Sequence, residues 1–256
     1  MATAAICYDD QVLAGALTAS SDTPNLRVAN LKHPALYPQI WRSTAQPSWV
    51  QCDFGASKTI GAVALLGTNL TPVATMRIRL SAAADMSSPT YDTGAEADAR
   101  IDARYRHLIH VMPAPAAGRY LRIDLTDASL GYQEAGRLVA MTAFRPSRNF
   151  KMGYRWAWLD STQIDVSETG QMWIEAGVTR RELRFQLHAL TDAEAMDGQF
   201  VDIATTGRRQ DMLVVLDPGL AKPALMSIFG PAMEHLSADH PMRDLHTADL
   251  VIHERR

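Results

Sequence analysis

In the first half of the chain, apolar residues recur at every second position in three short runs. Val50, Cys52 and Phe54 alternate with Gln51 and Asp53, Met76, Ile78 and Leu80 with Arg77 and Arg79, and Leu121, Ile123 and Leu125 with Arg122 and Asp124. A two-residue period sends one set of side chains into a core and the other into water, so each run predicts a half-buried strand. Gly55, able to take a left-handed turn, is expected to end the first of them. Residues 59–66 are apolar almost throughout and predict a strand covered on both faces. Turn-rich pieces, Ser87-Ser88-Pro89 and Pro113-Ala114-Pro115, fall between the runs. Many short strands with turn signals between them predict a sandwich or barrel.

The polar cluster Arg145-Pro146-Ser147-Arg148-Asn149 reads as a join, giving a β-sandwich over 1–147 and a second part over 148–256. After it the alternation resumes, with Tyr154, Trp156 and Trp158 in one run and Leu183, Phe185 and Leu187 in another. Thr191 and Glu194 have the spacing of a capping box, predicting a helix from there to about residue 204. Residues 211–216 predict a buried strand ended by Asp217-Pro218-Gly219, and 250–253 a last strand. The second part is therefore expected to be α+β with more strand than helix, and the whole chain mainly β.

Composition narrows the function classes. The 256 residues are 47% hydrophobic and 21% charged, which supports real cores. No run of about 18 apolar residues offers a membrane span. The N-terminus lacks a basic start and carries Asp9 and Asp10 where a signal peptide would stay apolar, so synthesis in a cytoplasm is expected. Cys7 and Cys52 make neither a disulfide framework nor a metal site, and Cys52 reads as a small buried hydrophobe. Up to residue 147 there are 13 basic and 12 acidic residues, and after it 12 and 16, so neither part has the basic excess that nucleic acid requires.

Catalytic signatures are absent. His235, His240, His246 and His253 crowd the C-terminus, but their gaps fit no metal-ligand template and they read as surface or loop residues. Met212 to Asp217 has the look of a magnesium-holding strand, yet no phosphate loop accompanies it and Pro218 comes directly after. No G-x-S-x-G elbow appears, and no carboxylate pair is singled out among the 28 acidic residues. Asn69-Leu70-Thr71 fits a glycosylation acceptor by coincidence. Neither a cofactor, a metal nor an enzymatic activity is expected.

One segment carries a resemblance. Trp49-Val50-Gln51-Cys52-Asp53-Phe54-Gly55 resembles the W-[IV]-Q-x-D-[LF]-G signature of discoidin-like domains in the galactose-binding jelly-roll class. Asn30 with Trp41-Arg42-Ser43, Ile78 to Ser81, and Arg119-Tyr120-Leu121-Arg122-Ile123 resemble three further segments of that family, in the family's order. The resemblance implies a jelly-roll β-sandwich over 1–147, without the end-joining disulfide of secreted members, because Cys7 has no partner near residue 140. It also places Tyr37, Trp41 and Arg42 in loops at one end of the sandwich, where an aromatic face and a guanidinium suit a sugar; burial of Trp41 beneath the loop is the alternative. Trp156 and Trp158, on one strand face, suit either a subunit interface or a core.

With Gly153-Tyr154, Arg181-Glu182-Leu183, Leu190-Thr191 and Leu213 to Pro218, the second part resembles in layout the region C-terminal to such a domain in tail-tip and baseplate proteins of tailed bacteriophages. The resemblance implies a structural virion subunit in the phage tail, made in the host cytoplasm, assembling as a homo-oligomeric ring with other tail proteins and contacting a cell-surface glycan. Two other readings stand beside it: a carbohydrate-binding module or lectin without catalytic activity, and an enzyme such as a glycan hydrolase.

Overall fold

A computed structural model of the chain describes residues 3–33, 39–95, 97–150, 153–196, 198–206, 208–234 and 236–255. Contacts divide the chain into two compact units, the first of Met1–Arg145 with Leu213–Ser227 and the second of Pro146–Met212 with Ile228–Arg256. A division after residue 147 would leave 213–227 with the second part. The structure gives that segment to the first unit, because its apolar strand needs two covered faces and an antiparallel partner, and finds them beside the N-terminal strand.

The first unit holds β1 (Ala5–Tyr8), β2 (Ala16–Ala19), β3 (Trp41–Arg42), β4 (Ser48–Leu66), β5 (Thr75–Ser81), β6 (Pro89–Asp92), β7 (Ala97–Asp98), β8 (Leu108–Thr126), β9 (Glu134–Ala135) and β10 (Arg137–Phe144). All pairings are antiparallel, and two 19-residue strands organise them. The N-terminal half of β4 lies between β2 and the C-terminal half of β8, which in turn pairs β5. The C-terminal half of β4 lies between β10 and the N-terminal half of β8, and β10 pairs β1. Both long strands thus serve two layers, and the residues facing inward from each form one buried cluster that includes Val50, Ile78 and Ile123 from one layer and Val63, Leu108 and Leu138 from the other. This is the jelly-roll sandwich that the alternation and the discoidin-like segments implied.

Where the strands bend, the structure departs from the sequence reading. Gly55 has φ 77°, the left-handed conformation expected, but it does not end the strand. The ladder between β4 and β8 skips from Asp53 to Lys58, a bulge that turns the strand from one layer into the other. Pro113 and Pro115 lie in β8 rather than in a turn, exposed in the stretch between Val111 and Ala116 where the ladder is again irregular; a missing N–H costs nothing there. Gly61 sits where β4 and β10 approach so closely that a Cβ would lie 2.6 Å from the Cβ of Ala143.

The second unit begins with β11 (Arg155–Asp160), β12 (Gln163–Val166), β13 (Met172–Glu175) and β14 (Thr179–Thr191), followed by α1 (Asp192–Ala195) and α2 (Gln199–Thr206). After β15 (Met212–Val215), which pairs β1 in the first unit, come β16 (Ser227–Gly230), β17 (Ala238–Met242) and β18 (Leu245–His253). A four-stranded antiparallel sheet runs β11-β14-β18-β17, while β12 and β13 form a separate two-stranded ribbon. Phe185, Leu187, Leu250 and Ile252 from the sheet are buried, as are Phe200 and Ile203 of α2, one helical turn apart. The capping box of Thr191 and Glu194 is present, but the expected single helix is two. α1 stops after one turn. Gly198 then packs so tightly that a Cβ would lie 2.3 Å from the carbonyl oxygen of Ala193.

Candidate functional site

On the outer layer of the sandwich, the polar positions of three neighbouring strands make rows. Trp49 of β4, Asp124 of β8 and Arg77 of β5 lie opposite one another, and Gln51, Arg122 and Arg79 make the next row. The alternation that buries Val50, Ile123 and Ile78 is what turns these side chains outward together. Of these, Trp49, Arg77, Arg79, Arg122 and Asp124 line a cleft of about 340 Å³, with Pro47, Thr75 and Thr126 beside them. Small-molecule sites are clefts of roughly this size, with a few convergent polar groups.

The charges in the cleft are organised by Asp124. One of its oxygens accepts from Arg79 at 2.7 Å and the other from Arg122 at 2.9 Å. The Arg122 guanidinium also lies over the indole of Trp49, 4.2 Å from the ring centroid, a cation–π contact. Arg77 makes a two-point pair with Asp92 at 3.0 and 2.6 Å, and those hydrogen bonds hold the Asp92 carboxyl below the usual carboxylate range. Two positions beyond Gln51 on β4, Asp53 accepts from Arg119 at 2.8 and 2.9 Å, and this donation lowers the Asp53 carboxyl to about 2. The Arg79, Arg122 and Asp124 side chains are only 15%, 24% and 29% exposed, so their fields are less screened than those of free surface ions.

The residues expected to hold a sugar are placed differently. Trp41 is fully buried, with its indole N–H donating to the Ser21 carbonyl at 3.1 Å and to Asp22 at 3.0 Å. Neither ring face is open, so it serves as the plug beneath the loop and not as a stacking platform. Arg42 is ion-paired with Glu134 and lies over the exposed ring of Tyr132, 4.6 Å from its centroid. Tyr37 lies outside the described residues. The sequence reading missed Trp49 and Arg122 as a site, although both stand in the family-like segments. Their outward-facing parity was visible in the two-residue period, but the alignment of three strands that makes the cleft was not.

Among the other sequence candidates, Trp156 is half-buried under the guanidinium of Arg181, which is itself paired with Glu254 at 2.7 Å, while Trp158 is 59% exposed. Cys52 is buried, and desolvation pushes its thiol up to about 12, the behaviour of an inert core residue. Of the C-terminal histidines expected at the surface or in loops, His240 is exposed, as expected, and His246 is not. His246 is buried, His253 is half-buried and hydrogen-bonded to Glu182 at 2.8 Å, and the exposed His240 stacks on His246; His235 lies outside the described residues.

The first unit is thus a jelly-roll sandwich with a polar, aromatic cleft on one layer. No family model matches the chain, and neither does any curated protein sequence. Solved structures do match. A family 32 carbohydrate-binding module from C. perfringens NanJ, in complex with galactose, shares 12% identity over 54% of this chain and 99% of its own, with a TM-score of 0.43. The lectin domain of lectinolysin, in complex with Lewis b antigen, shares 13% over 54% and 98%, with a TM-score of 0.42. A fucose-binding module from Streptococcus pneumoniae shares 15% over 53% and 98%, with a TM-score of 0.41. In each case about half of this chain matches nearly all of the other.

Proposed function

We propose that the first unit is a carbohydrate-binding module whose site is the cleft around Trp49, and that the chain acts by adhesion. The observation that carries this reading is the combination in one cleft of an indole with three guanidinium groups and a carboxylate. A flat apolar ring meets the C–H face of a pyranose, and fixed Arg and Asp groups hydrogen-bond its hydroxyls. Arg77, Arg79 and Arg122 outnumber Asp92 and Asp124 by one, so a saccharide bearing a carboxylate or sulfate is preferred over a neutral one.

A glycan array probed with the full chain tests this. Acidic saccharides are expected to bind, and Trp49→Ala to weaken binding at least about ten-fold, since loss of one well-packed aromatic contact exceeds roughly 1.4 kcal/mol. Arg42→Ala, at the loop end, is expected to bind as the parent chain does. Absence of any saccharide binding at millimolar levels, or full binding by Trp49→Ala, removes the proposal.

A second reading, a structural role by assembly, is favoured by the ribbon β12–β13. Ile164 faces Ile174 and Val166 faces Met172 across it, so one face is entirely apolar, and all four side chains are 58–64% exposed. A two-stranded ribbon is marginal in water alone, and a bare apolar face of this kind marks a contact surface. The occupant that suits it is a second copy of this chain. Residues 160–178 carry Asp160, Asp165, Glu168 and Glu175 and no basic residue, while Arg155, Arg180 and Arg184 stand exposed on one face of the β11–β14 pair. The ribbon of one copy therefore matches the arginine face of the next, a head-to-tail contact of the kind that closes rings. Sedimentation of the full chain is expected to show multimers that Ile164→Glu with Ile174→Glu dissociates. A parent chain that stays monomeric up to its solubility limit rules this out. A place in a phage tail rests on the layout of the sequence, and neighbouring tail genes are its test.

A further inference from the structure

Asp192 of α1 lies about 50 residues before His240 of β17 and His246 of β18 in the second unit, yet one ligand atom from each lies within 4.8 Å of the others. Nε2 of His246 is 2.7 Å from Oδ1 of Asp192, and the rings of His240 and His246 are 4.5 Å apart at 31°. The meeting is arranged by irregularities in both ladders beside β18. Between Asp239 and Met242, β17 has one residue more than the Thr247–Leu245 stretch it faces, which puts His240 in a bulge. On the other side, β14 has one residue more between Leu187 and Leu190 than β18 has between Ala248 and His246, with Ala189 held at φ 54°. Bulges re-aim side chains, and here two of them flank the same histidine.

The histidine so placed is incompletely satisfied. His246 is only 2% exposed, and its Nδ1 is buried with no hydrogen-bond partner. The nitrogen that faces Asp192 is Nε2, so Nε2 is the atom open to a ligand there, and Nδ1 keeps the ring proton. Asp192 and His240 are exposed, so the cluster opens to solvent on their side.

We propose that Asp192, His240 and His246 bind a divalent transition-metal ion, zinc being the best match, with solvent completing its coordination. Two imidazoles and a carboxylate are borderline donors that suit zinc and not calcium or magnesium, which take sets of oxygens. Ligand bonds of roughly 2.0–2.2 Å in a tetrahedral site separate donor atoms by roughly 3.3 Å. The Asp192–His246 contact must therefore open slightly, and the Asp192 side chain, 57% exposed, has the freedom to do so. The ion takes the place of the Asp192–His246 hydrogen bond and links α1, β17 and β18.

The test uses the full chain, stripped of metal by a chelator and titrated with zinc chloride by calorimetry, with cobalt(II) as a spectroscopic probe. One saturable zinc site per chain is expected, with the visible absorption of tetrahedral cobalt. His240→Ala and Asp192→Asn are each expected to weaken zinc binding ten-fold or more and to abolish the cobalt band. Both residues are exposed, and Asp192→Asn leaves the Thr191–Glu194 capping box intact, so circular dichroism of the variants should match the parent. His33→Ala, in the first unit, is expected to bind zinc normally. Failure to find a saturable site, or undiminished zinc binding by both variants, overturns the proposal.

Discussion

Replacing Asp10 with alanine is expected to destabilise the first unit by about 3–5 kcal/mol, the usual cost of breaking a buried ion pair by removing one side of it. Asp10 and Arg137 lie 3.3 Å apart with side chains 2% and 4% exposed. The carboxylate also accepts from the backbone N–H of Val12 at 3.1 Å and of Ala140 at 3.2 Å, so it ties the segment after β1 to β10. Desolvation pushes the Asp10 carboxyl above its ordinary value while Arg137 pulls the other way. Alanine removes the anion but keeps the buried cation and leaves two N–H groups without that acceptor. Since domains are stable by about 5–15 kcal/mol, the loss is a large share of the total. Urea denaturation of parent and variant measures it. The double replacement of Asp10 by Ala and Arg137 by Met is expected to be less damaging than Asp10→Ala alone, because it removes the buried charge along with its counter-ion. A single-variant loss under about 1 kcal/mol would mean that solvent reaches the pair.

Trp41→Ala is expected to cost about 3–5 kcal/mol, the range for deleting a buried tryptophan. The ring is fully buried, β3 pairs it with Ala135 of β9, and the neighbouring backbone is held to it from several sides. Asn30 donates to the carbonyl of Ile40 at 2.8 Å, and Ser43 exchanges bonds with Gln133, accepting on Oγ from its N–H at 2.9 Å. Alanine opens a cavity the size of an indole and strands the acceptors on Ser21 and Asp22. Trp41→Phe keeps most of the volume and is expected to lose roughly half as much. Thermal or urea unfolding gives the two costs. Saccharide binding by the folded Trp41→Phe protein separates the two roles that the sequence allowed. Binding equal to the parent's is expected of a plug, and loss of binding without loss of fold would restore Trp41 as a sugar platform.

The same residues show why some of the fold was legible beforehand. A strand buried on one face writes its period directly into the sequence, so the runs at Val50, Ile78 and Ile123 announced the outer layer, and Thr191 with Glu194 announced a helix start. Asn30, Trp41 and Ser43 form one group in the structure because each performs a local task around one buried ring. The bends were not legible. Gly55 has the same left-handed backbone in a bulge as at a strand end, and what decides between them is whether β8 continues alongside. Strand 212–215 obeys the same logic, since a four-residue apolar run can pair with any open edge, and only the presence of β1 gives 213–215 to the first unit.

By itself the sequence determined the class of structure, mainly antiparallel β with a jelly-roll first part, because burial alternation and turn chemistry are local properties. It also determined which side chains face outward on each strand. Tertiary structure alone decided which of those outward residues meet. Trp49, Arg122 and Arg77 share a cleft through the register of three strands, and Asp192, His240 and His246 converge through two bulges, neither of which leaves a spacing rule in the chain. Chemistry that depends on distances between strands is set by register, and register is a property of the folded sheet.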